Sequence, residues 1–288
     1  MKPASFDYFK PTTLEEAAVL LSKYGEDAKI LAGGQTLVPM MNFRLVTPQM
    51  LVDINDVEGL NFIEQRDDAV RLGALVRWCE IETSPVIAKI HPLLSEAVKS
   101  IAHYQIRNRG TWAGSCAHAD PAAEFPAVAL ISNAKFSLFS TRGRRLVSAA
   151  DFFLGPLTTA LDADEILVDV EIPCHGCNCF WAFEEFALRT GDFAIAGVAV
   201  MIDHDNREDP VRFVAFGIGD KACRLPTAEL VIAKLGLTDK TIHEAAAGIG
   251  NDFEVRADIH ASAEYRLALT KVLLERSMNR VLASGYHR

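Results

Sequence analysis

Two glycine-bearing stretches, set far apart, constrain the fold of this chain more than any other feature of its sequence. The first, Leu31-Ala32-Gly33-Gly34-Gln35-Thr36-Leu37, follows directly on residues 29–32, a short apolar run that reads as a buried strand. The second, Gly110-Thr111-Trp112-Ala113-Gly114-Ser115, lies just ahead of Ala119-Asp120-Pro121-Ala122-Ala123-Glu124. A loop poor in side chains lets consecutive backbone N–H groups point at an anion. Gln35, Thr36, Thr111 and Ser115 add donors beside the glycines. Either stretch alone is satisfied by making a tight turn. Folded together, the two can grip a diphosphate, which carries two negative charges and many acceptor oxygens.

The familiar alternatives for nucleotide binding and hydrolysis are missing from the sequence. No G-x-G-x-x-G follows a strand, and there is no G-x-x-x-x-G-K-[ST], G-x-S-x-G or H-E-x-x-H. Of the 288 residues, 50% are hydrophobic and 23% charged, which excludes disordered and fibrous classes. Lys and Arg number 29 against 38 Asp and Glu, a net charge of -9. That balance opposes nucleic-acid binding, which needs clustered cations to neutralise phosphates. The longest apolar run, residues 193–202, is closed by Asp192 and Asp203. It falls short of the roughly 20 residues that cross a bilayer, so no transmembrane segment is expected. Six cysteines without an export signal suggest reduced thiols. The expected location is cytoplasmic, with the inner face of the membrane as the alternative.

Periodicity supplies the coarse architecture. Thr12 or Thr13 caps a first helix, with Glu15 and Glu16 as capping-box partners, Leu14, Ala17, Ala18 and Leu21 on one face, and Gly25 as the stop. Residues 51–54 and 70–75 read as strands, residues 91–102 as a helix with Pro92 in its first turn, and residues 104–119 as a polar loop. Pro121 opens a helix to about residue 131, and strands follow at 135–139 and 165–172, where Ile166, Val168, Val170 and Ile172 alternate. Beyond a boundary at residues 173–178 come three β-like runs at 180–188, 193–202 and 211–217. Two or three helices then close the chain, the last over about 264–282. This pattern is α+β. It divides into residues 1–176, with two α/β subdomains of about 1–58 and 59–176, and residues 177–288.

At three places the residues match a known family. Lys29-Ile30-Leu31-Ala32-Gly33-Gly34-Gln35-Thr36-Leu37-Val38-Pro39-Met40-Met41 resembles the first flavin loop of the FAD-binding medium subunits of molybdenum hydroxylases. Gln105-Ile106-Arg107-Asn108-Arg109-Gly110-Thr111, continuing through Ala119-Asp120-Pro121-Ala122-Ala123-Glu124, resembles the second. Arg189-Thr190-Gly191-Asp192-Phe193-Ala194-Ile195-Ala196-Gly197-Val198 resembles a third conserved-type run of those subunits. The family includes the medium subunits of carbon monoxide dehydrogenase and quinoline oxidoreductase, and the central portion of xanthine dehydrogenase.

The resemblance implies a two-part FAD-binding domain of the PCMH type, followed by a C-terminal domain of antiparallel sheet plus helices. It implies FAD on this chain, with molybdenum–pterin on a large partner subunit and two [2Fe-2S] clusters on a small one. The assembly implied is a dimer of heterotrimers that passes electrons to an external acceptor. Carried over residue by residue, Ala32, Gly33, Gly34, Gln35 and Thr36 surround the diphosphate together with Gly110, Thr111, Ala113, Gly114 and Ser115. Lys29, Leu31 and Leu37 flank the first contact. Ile101, Ala102 and Ile106 form an apolar wall beside the flavin, with Ala117 near it. Glu124 accepts hydrogen bonds from cofactor hydroxyls, Ile166 or Leu167 offers a backbone contact, and Phe193 covers one face of the ring. No residue is expected to act as acid or base, and no metal is expected on this chain.

Two positions depart from the family pattern. Ala113 replaces the first glycine of the second loop, which is tolerable where φ is negative and a clash where it is positive. Glu184 stands where some relatives carry a lysine near the flavin. Among other features, Cys174-x-x-Cys177-x-Cys179 with His175 can supply four zinc ligands, but alternate residues seldom converge on one tetrahedron, so free thiols on an interdomain loop are expected. His103, Tyr104 and His118 read as hydrogen-bonded loop residues, Met40 and Met41 as core packing, and Arg142-Gly143-Arg144-Arg145 as a solvated hairpin turn with an acidic sister subunit as the alternative partner.

The expected function is therefore electron transfer through FAD, in an enzyme that hydroxylates an N-heterocyclic aromatic or similar small substrate with water. The alternatives are a carbon monoxide or aldehyde oxidising member of the family, a self-sufficient flavin oxidase, or a non-enzymic nucleotide-binding subunit.

Overall fold

The first helix forms where its caps demand it. In the computed structural model, which describes residues 2–174 and 178–286, the Thr13 hydroxyl accepts the Glu16 N–H at 3.2 Å, and Glu16 accepts the Thr12 N–H at 3.0 Å. Helix α1 (Leu14–Tyr24) ends at Gly25, whose φ of +51° suits a residue without a β-carbon. Its face of Leu14, Ala17, Ala18 and Leu21 packs on a parallel sheet ordered β1 (Asp7–Phe9), β3 (Met50–Asp53), β2 (Ala28–Leu31). Helix α2 (Leu37–Asn42) follows β2 after the first glycine stretch.

A second sheet is antiparallel throughout, in the order β4 (Ile63–Gln65), β5 (Ala69–Gly73), β10 (Ile166–Pro173), β6 (Lys135–Ser140), β7 (Gly143–Ser148). Between β5 and β6 run α3 (Trp78–Thr83), α4 (Pro85–Ile90), α5 (Pro92–Ala97), α6 (Tyr104–Arg107), α7 (Trp112–His118) and α8 (Glu124–Ile131). After β7 come α9 (Ala149–Phe152) and a ribbon of β8 (Phe153–Gly155) and β9 (Thr158–Thr159). Trp112 lies fully buried against Phe125 and Phe136, and its indole N–H donates to the Gly73 carbonyl at 2.6 Å. That bond lets a polar ring edge enter an otherwise apolar core.

The third sheet, β11 (Cys179–Phe186), β12 (Ala196–Asp203), β13 (Val211–Phe216), β14 (Cys223–Arg224), is also antiparallel. Every residue of β12 is buried. Ala199 and Met201, with Phe183 and Phe216, join the core that contains α5 and α8. Val198, Val200 and Ile202 face a separate core under α10 (Pro226–Leu235), α11 (Asp239–Gly248) and α12 (Ala263–Ala283). Covering on both faces explains why residues 193–202 read as an unbroken apolar run rather than an alternating one. The arrangement is α+β, and one core holds residues from β10 and β6 as well as from β11, β12 and β13.

Several expectations change. Residues 104–119 are not a loop: α6 and α7 lie within them, each too short to show a periodic face. The helix expected over 91–102 ends as α5 at Ala97, tightens into a 3₁₀ turn over Val98–Ser100, and stops at Ala102, whose φ is +43°. The helix expected to open at Pro121 starts at Glu124, because Asp120 accepts the Ala122 N–H at 2.8 Å and turns the chain first. Arg144 and Arg145 belong to β7 rather than to a hairpin turn. Their charge is met within the chain: Arg145 pairs with Glu165 at 2.6 Å and Arg142 with Asp162 at 2.8 Å. Cys79, Cys116, Cys174, Cys179 and Cys223 are free thiols; Cys177 and His175 of the sequence cluster lie outside the described residues. Among the described residues, no helix is long and apolar enough to cross a membrane.

Candidate cofactor site

The two glycine stretches meet. A β-carbon placed on Gly33 would fall 2.8 Å from the Gly110 Cα, and one on Gly110 would fall 2.8 Å from Cδ1 of Trp78. Real β-carbons do not tolerate such distances, so the contact of the two loops requires glycine at 33, and the packing of the second loop on Trp78 requires it at 110. Gly34 has φ of +70°, a conformation that disfavours side chains. Residues 33–36 lie between β2 and α2, and among the described residues no carbonyl outside the regular ladders accepts their N–H groups. Gln35 and Thr36 are exposed, and Gln35 turns its amide back to the Gly33 carbonyl at 3.1 Å. A row of unengaged amides beside glycines that exclude β-carbons fits a diphosphate.

On the second stretch, Thr111 caps α7: its hydroxyl accepts the Gly114 N–H at 3.1 Å and keeps its own proton to donate. Ala113 sits in the first turn of α7, 5% exposed and without a positive φ, so its methyl group is accommodated. Gly114 and Ala117 lie on the exposed side of α7, and Ser115 is half-buried. Lys29 is exposed at the edge of β2, while Leu31 and Leu37 are half-buried at the two ends of the first stretch.

The third sequence run joins the second near Ala102. A β-carbon on Gly191 would lie 2.8 Å from the Ala102 carbonyl oxygen. Arg107 holds this region in place by donating to the carbonyls of Ile101 at 2.9 Å and Ala102 at 3.0 Å while pairing with Glu82 at 2.9 Å. From the C-terminal helices, the buried Arg266 donates to the Ile195 carbonyl at 2.6 Å and pairs with Asp258 at 2.7 Å. Phe193, between these anchors, is 64% exposed. Ile101 and Ile106 are half-buried.

Glu124 opens α8 and is buried. Burial, reinforced by the nearby charge of Glu185, pushes its carboxyl up to about 8. Burial alone pushes Glu185 up to about 7, and its buried Oε2 has no hydrogen-bond partner. Glu185 lines a cleft of about 400 Å³ with Lys99, Ser100, Glu184, Arg189 and Arg280. Glu184 pairs with Arg280 at 2.7 Å, so the cleft keeps a cation beside Glu184. Ile166 and Leu167 have fully buried side chains that face different cores, which leaves only their backbone to offer to a ligand.

Periodicity and motif gave no sign of Asn55, Arg77, Arg266 or Glu185, and Arg107 stood in the second motif without an assigned role. The roles of Arg77 and Arg266 arise from partners remote in sequence. The one local signal is the Asp53-Ile54-Asn55 turn at the end of β3, where Asp53 accepts the Asn55 N–H at 2.9 Å.

Residues 4–175 match the family described as the FAD binding domain in molybdopterin dehydrogenase, and residues 181–281 match the CO dehydrogenase flavoprotein C-terminal domain. The chain is 42% identical over 279 residues to the nicotine 6-hydroxylase medium subunit of Paenarthrobacter nicotinovorans, covering 96% of this chain and 98% of the relative. It is 34% identical over 280 residues to the carbon monoxide dehydrogenase medium chain of Hydrogenophaga pseudoflava, covering 97% and 98%. Its fold superposes on carbon monoxide dehydrogenase from Hydrogenophaga pseudoflava with a TM-score of 0.94 at 35% identity, over 98% of this chain and 99% of the other. Quinoline 2-oxidoreductase from Pseudomonas putida 86 gives a TM-score of 0.94 at 35% identity over 100% of both chains. The chain belongs to the molybdenum hydroxylase family, as its medium, FAD-binding subunit.

Proposed function

We propose that this chain receives electrons from iron–sulfur clusters on a small partner subunit and hands them to an external acceptor, while a large partner subunit oxidises the substrate at molybdenum–pterin. FAD supplies the redox chemistry when bound, accepting and releasing electrons at its flavin ring. The meeting of Gly33 with Arg109 and Gly110 is the observation that carries this reading. In it, residues 32–36 bind the diphosphate through backbone amides and residues 110–115 close on it from the other side, with Gln35, Thr36, Thr111 and Ser115 as supporting donors. The Gly110, Gly114 and Ser115 N–H groups are engaged within the chain. Ile101, Ala102 and Ile106 exclude water from one side of the ring, Phe193 covers a face, and Glu124 holds a cofactor hydroxyl. The working division is residues 1–176 for FAD and 177–288 for the C-terminal domain, in a dimer of heterotrimers located in the cytoplasm or at the inner face of the membrane.

For the holoenzyme we infer an N-heterocyclic aromatic substrate, hydroxylated with water. Identity to the nicotine 6-hydroxylase medium subunit (42%) exceeds that to the carbon monoxide dehydrogenase medium chain (34%), and the caffeine dehydrogenase subunit beta of Pseudomonas sp. strain CBB1 stands between them at 36%. The test is to purify the native complex and record which substrate bleaches its flavin absorbance without added acceptor. N-heterocycles should bleach it, and carbon monoxide and aldehydes should not. A chain that stays colourless, and whose melting point FAD does not raise, would refute cofactor binding. Direct reduction of the isolated chain's flavin by an organic substrate would favour a self-sufficient oxidase.

A further inference from the structure

The two glycine stretches contain no lysine or arginine of their own, yet a cation stands behind both. Asn55 donates from Nδ2 to the Ala32 carbonyl at 2.9 Å, which ties it to the first stretch. The same Nδ2 donates to Asp53 Oδ1 at 2.5 Å, and Asp53 in turn accepts from the Tyr8 hydroxyl. Burial pushes the Asp53 carboxyl up, but the Tyr8 hydroxyl and the Asn55 amides outweigh it and hold the group below the usual carboxylate range.

Arg77 completes the bridge. One Nη donates to Asn55 Oδ1 and the other to the Arg109 carbonyl, one residue before Gly110. The backbone continues the link, with the Trp78 N–H donating to the Gly110 carbonyl at 3.1 Å and Glu80 accepting the Arg77 N–H at 2.7 Å. A planar guanidinium reaches two acceptors in fixed directions, which a single ammonium does not.

We propose that Arg77, oriented through Asn55, is a positioning residue that sets the separation of the two glycine loops and places a fixed positive charge behind the diphosphate they enclose. The inference rests on the FAD reading above, and the ligand class it concerns is a nucleoside diphosphate. Desolvation together with the neighbouring Arg109 charge works against the protonated form of Arg77, a penalty that an anion held in front of the loops relieves.

The experiment uses the full chain and titrates FAD and ADP calorimetrically. The set comprises wild type, Arg77→Gln, Asn55→Ala, their double variant, Arg77→Lys and Asn55→Asp. Each of Arg77→Gln and Asn55→Ala should weaken both ligands alike, by about 10- to 100-fold, the scale of one charge-assisted hydrogen bond. The double variant should be no weaker than the worse single variant, because either change breaks the same bridge. Arg77→Lys should not restore binding. Asn55→Asp keeps the side-chain shape but cannot donate to Ala32, so it tests the link where an alanine variant fails to fold. It should weaken ADP as well.

Unchanged ADP affinity in a folded Arg77→Gln or Asn55→Asp chain overturns the clamp, as does full rescue by lysine or a multiplicative double variant. If the wild-type chain binds neither FAD nor ADP, the cofactor reading itself fails, which is a separate result.

Discussion

A β-carbon on Gly33 would stand 2.4 Å from the carbonyl oxygen of Arg109. The same carbonyl accepts from Arg77, so the position opposite Gly33 is tethered from behind and cannot retreat. Backbone meets backbone here, and the geometry leaves no room for one methyl group.

Gly33→Ala should therefore part the loops. Forcing one methyl into a packed contact costs about 1–3 kcal/mol, which lowers the melting point of the cofactor-free chain and weakens FAD binding together. Gly114→Ala makes the contrast: its β-carbon meets only the Thr111 hydroxyl, at 3.0 Å, on an exposed helical turn. That variant should keep or raise the melting point while FAD affinity falls. Fluorescence titration with FAD, paired with thermal melts, separates the two, and equal behaviour of both variants would remove the distinct role given to Gly33.

Ala113 in the first turn of α7 is a helical residue with a buried methyl group. Restoring the family's glycine, Ala113→Gly, should cost about 0.5–1 kcal/mol of stability through backbone entropy. It should bring no gain in FAD affinity, because the alanine does not obstruct the cradle. Chemical denaturation and a binding titration check the two halves, and tighter FAD binding by the glycine variant would show that the methyl intrudes on the ligand.

Phe193 is 64% exposed, so little core packing depends on it. Phe193→Ala should move the cofactor-free stability by no more than about 0.5 kcal/mol, as for ordinary surface substitutions. In the loaded chain it should shift the flavin absorption bands and quicken quenching of flavin fluorescence by solvent solutes. Identical spectra and quenching would place the ring away from this side chain.

The raised carboxyls give a pH dependence of definite sign. Glu124 and Glu185 titrate near 8 and 7 in the folded chain, against an ordinary value of 4.5. Between those limits the folded state binds more protons than the unfolded one, so stability is highest below about pH 4.5 as far as these two groups are concerned and falls as pH rises toward 8. Asp53, Glu165 and Asp209 are shifted the other way and act at lower pH. His118, whose imidazole burial pushes below its usual value, acts against this below about pH 6.5. Melting points from about pH 6.5 to 8.5 should therefore decline in the wild type, and the decline should flatten in Glu185→Gln and further in the double variant with Glu124→Gln. A slope unaffected by both changes would mean that these carboxyls ionise normally.

The parts of the site that follow from local chemistry were readable in one dimension. Glycine next to a hydroxyl or amide residue marks a candidate backbone cradle, although either stretch alone reads equally as a tight turn. The caps of α1 are likewise local, being set by residues three positions apart. The alternation expected in β10, by contrast, breaks at a bulge between Leu167 and Asp169 that sends Ile166 and Val168 into one core and Val170 and Ile172 into another. The short helices α6 and α7 escaped because a turn or two of helix leaves no period to detect. Arg77 escaped for a different reason: it is an ordinary arginine until the chain brings Asn55 and Arg109 to it.

The order of residues alone determined that the architecture would be α+β and that the flavin-type motifs stood in family order. Which amides stay bare it did not determine, since those of Gly110, Gly114 and Ser115 are engaged by Ile106 and Thr111. Which loop touches which, and at what distance, was decided only when the sheets packed. The third sheet shows the difference most plainly. The apolar run that becomes β12 announces a buried strand, but its two faces enter two separate cores because α5 and α8 cover one side and α10 to α12 the other. Burial of apolar surface has no direction and no sequence address, so hydrophobicity can specify that a segment goes inside while leaving to packing and to a few tethering arginines what it will lie against.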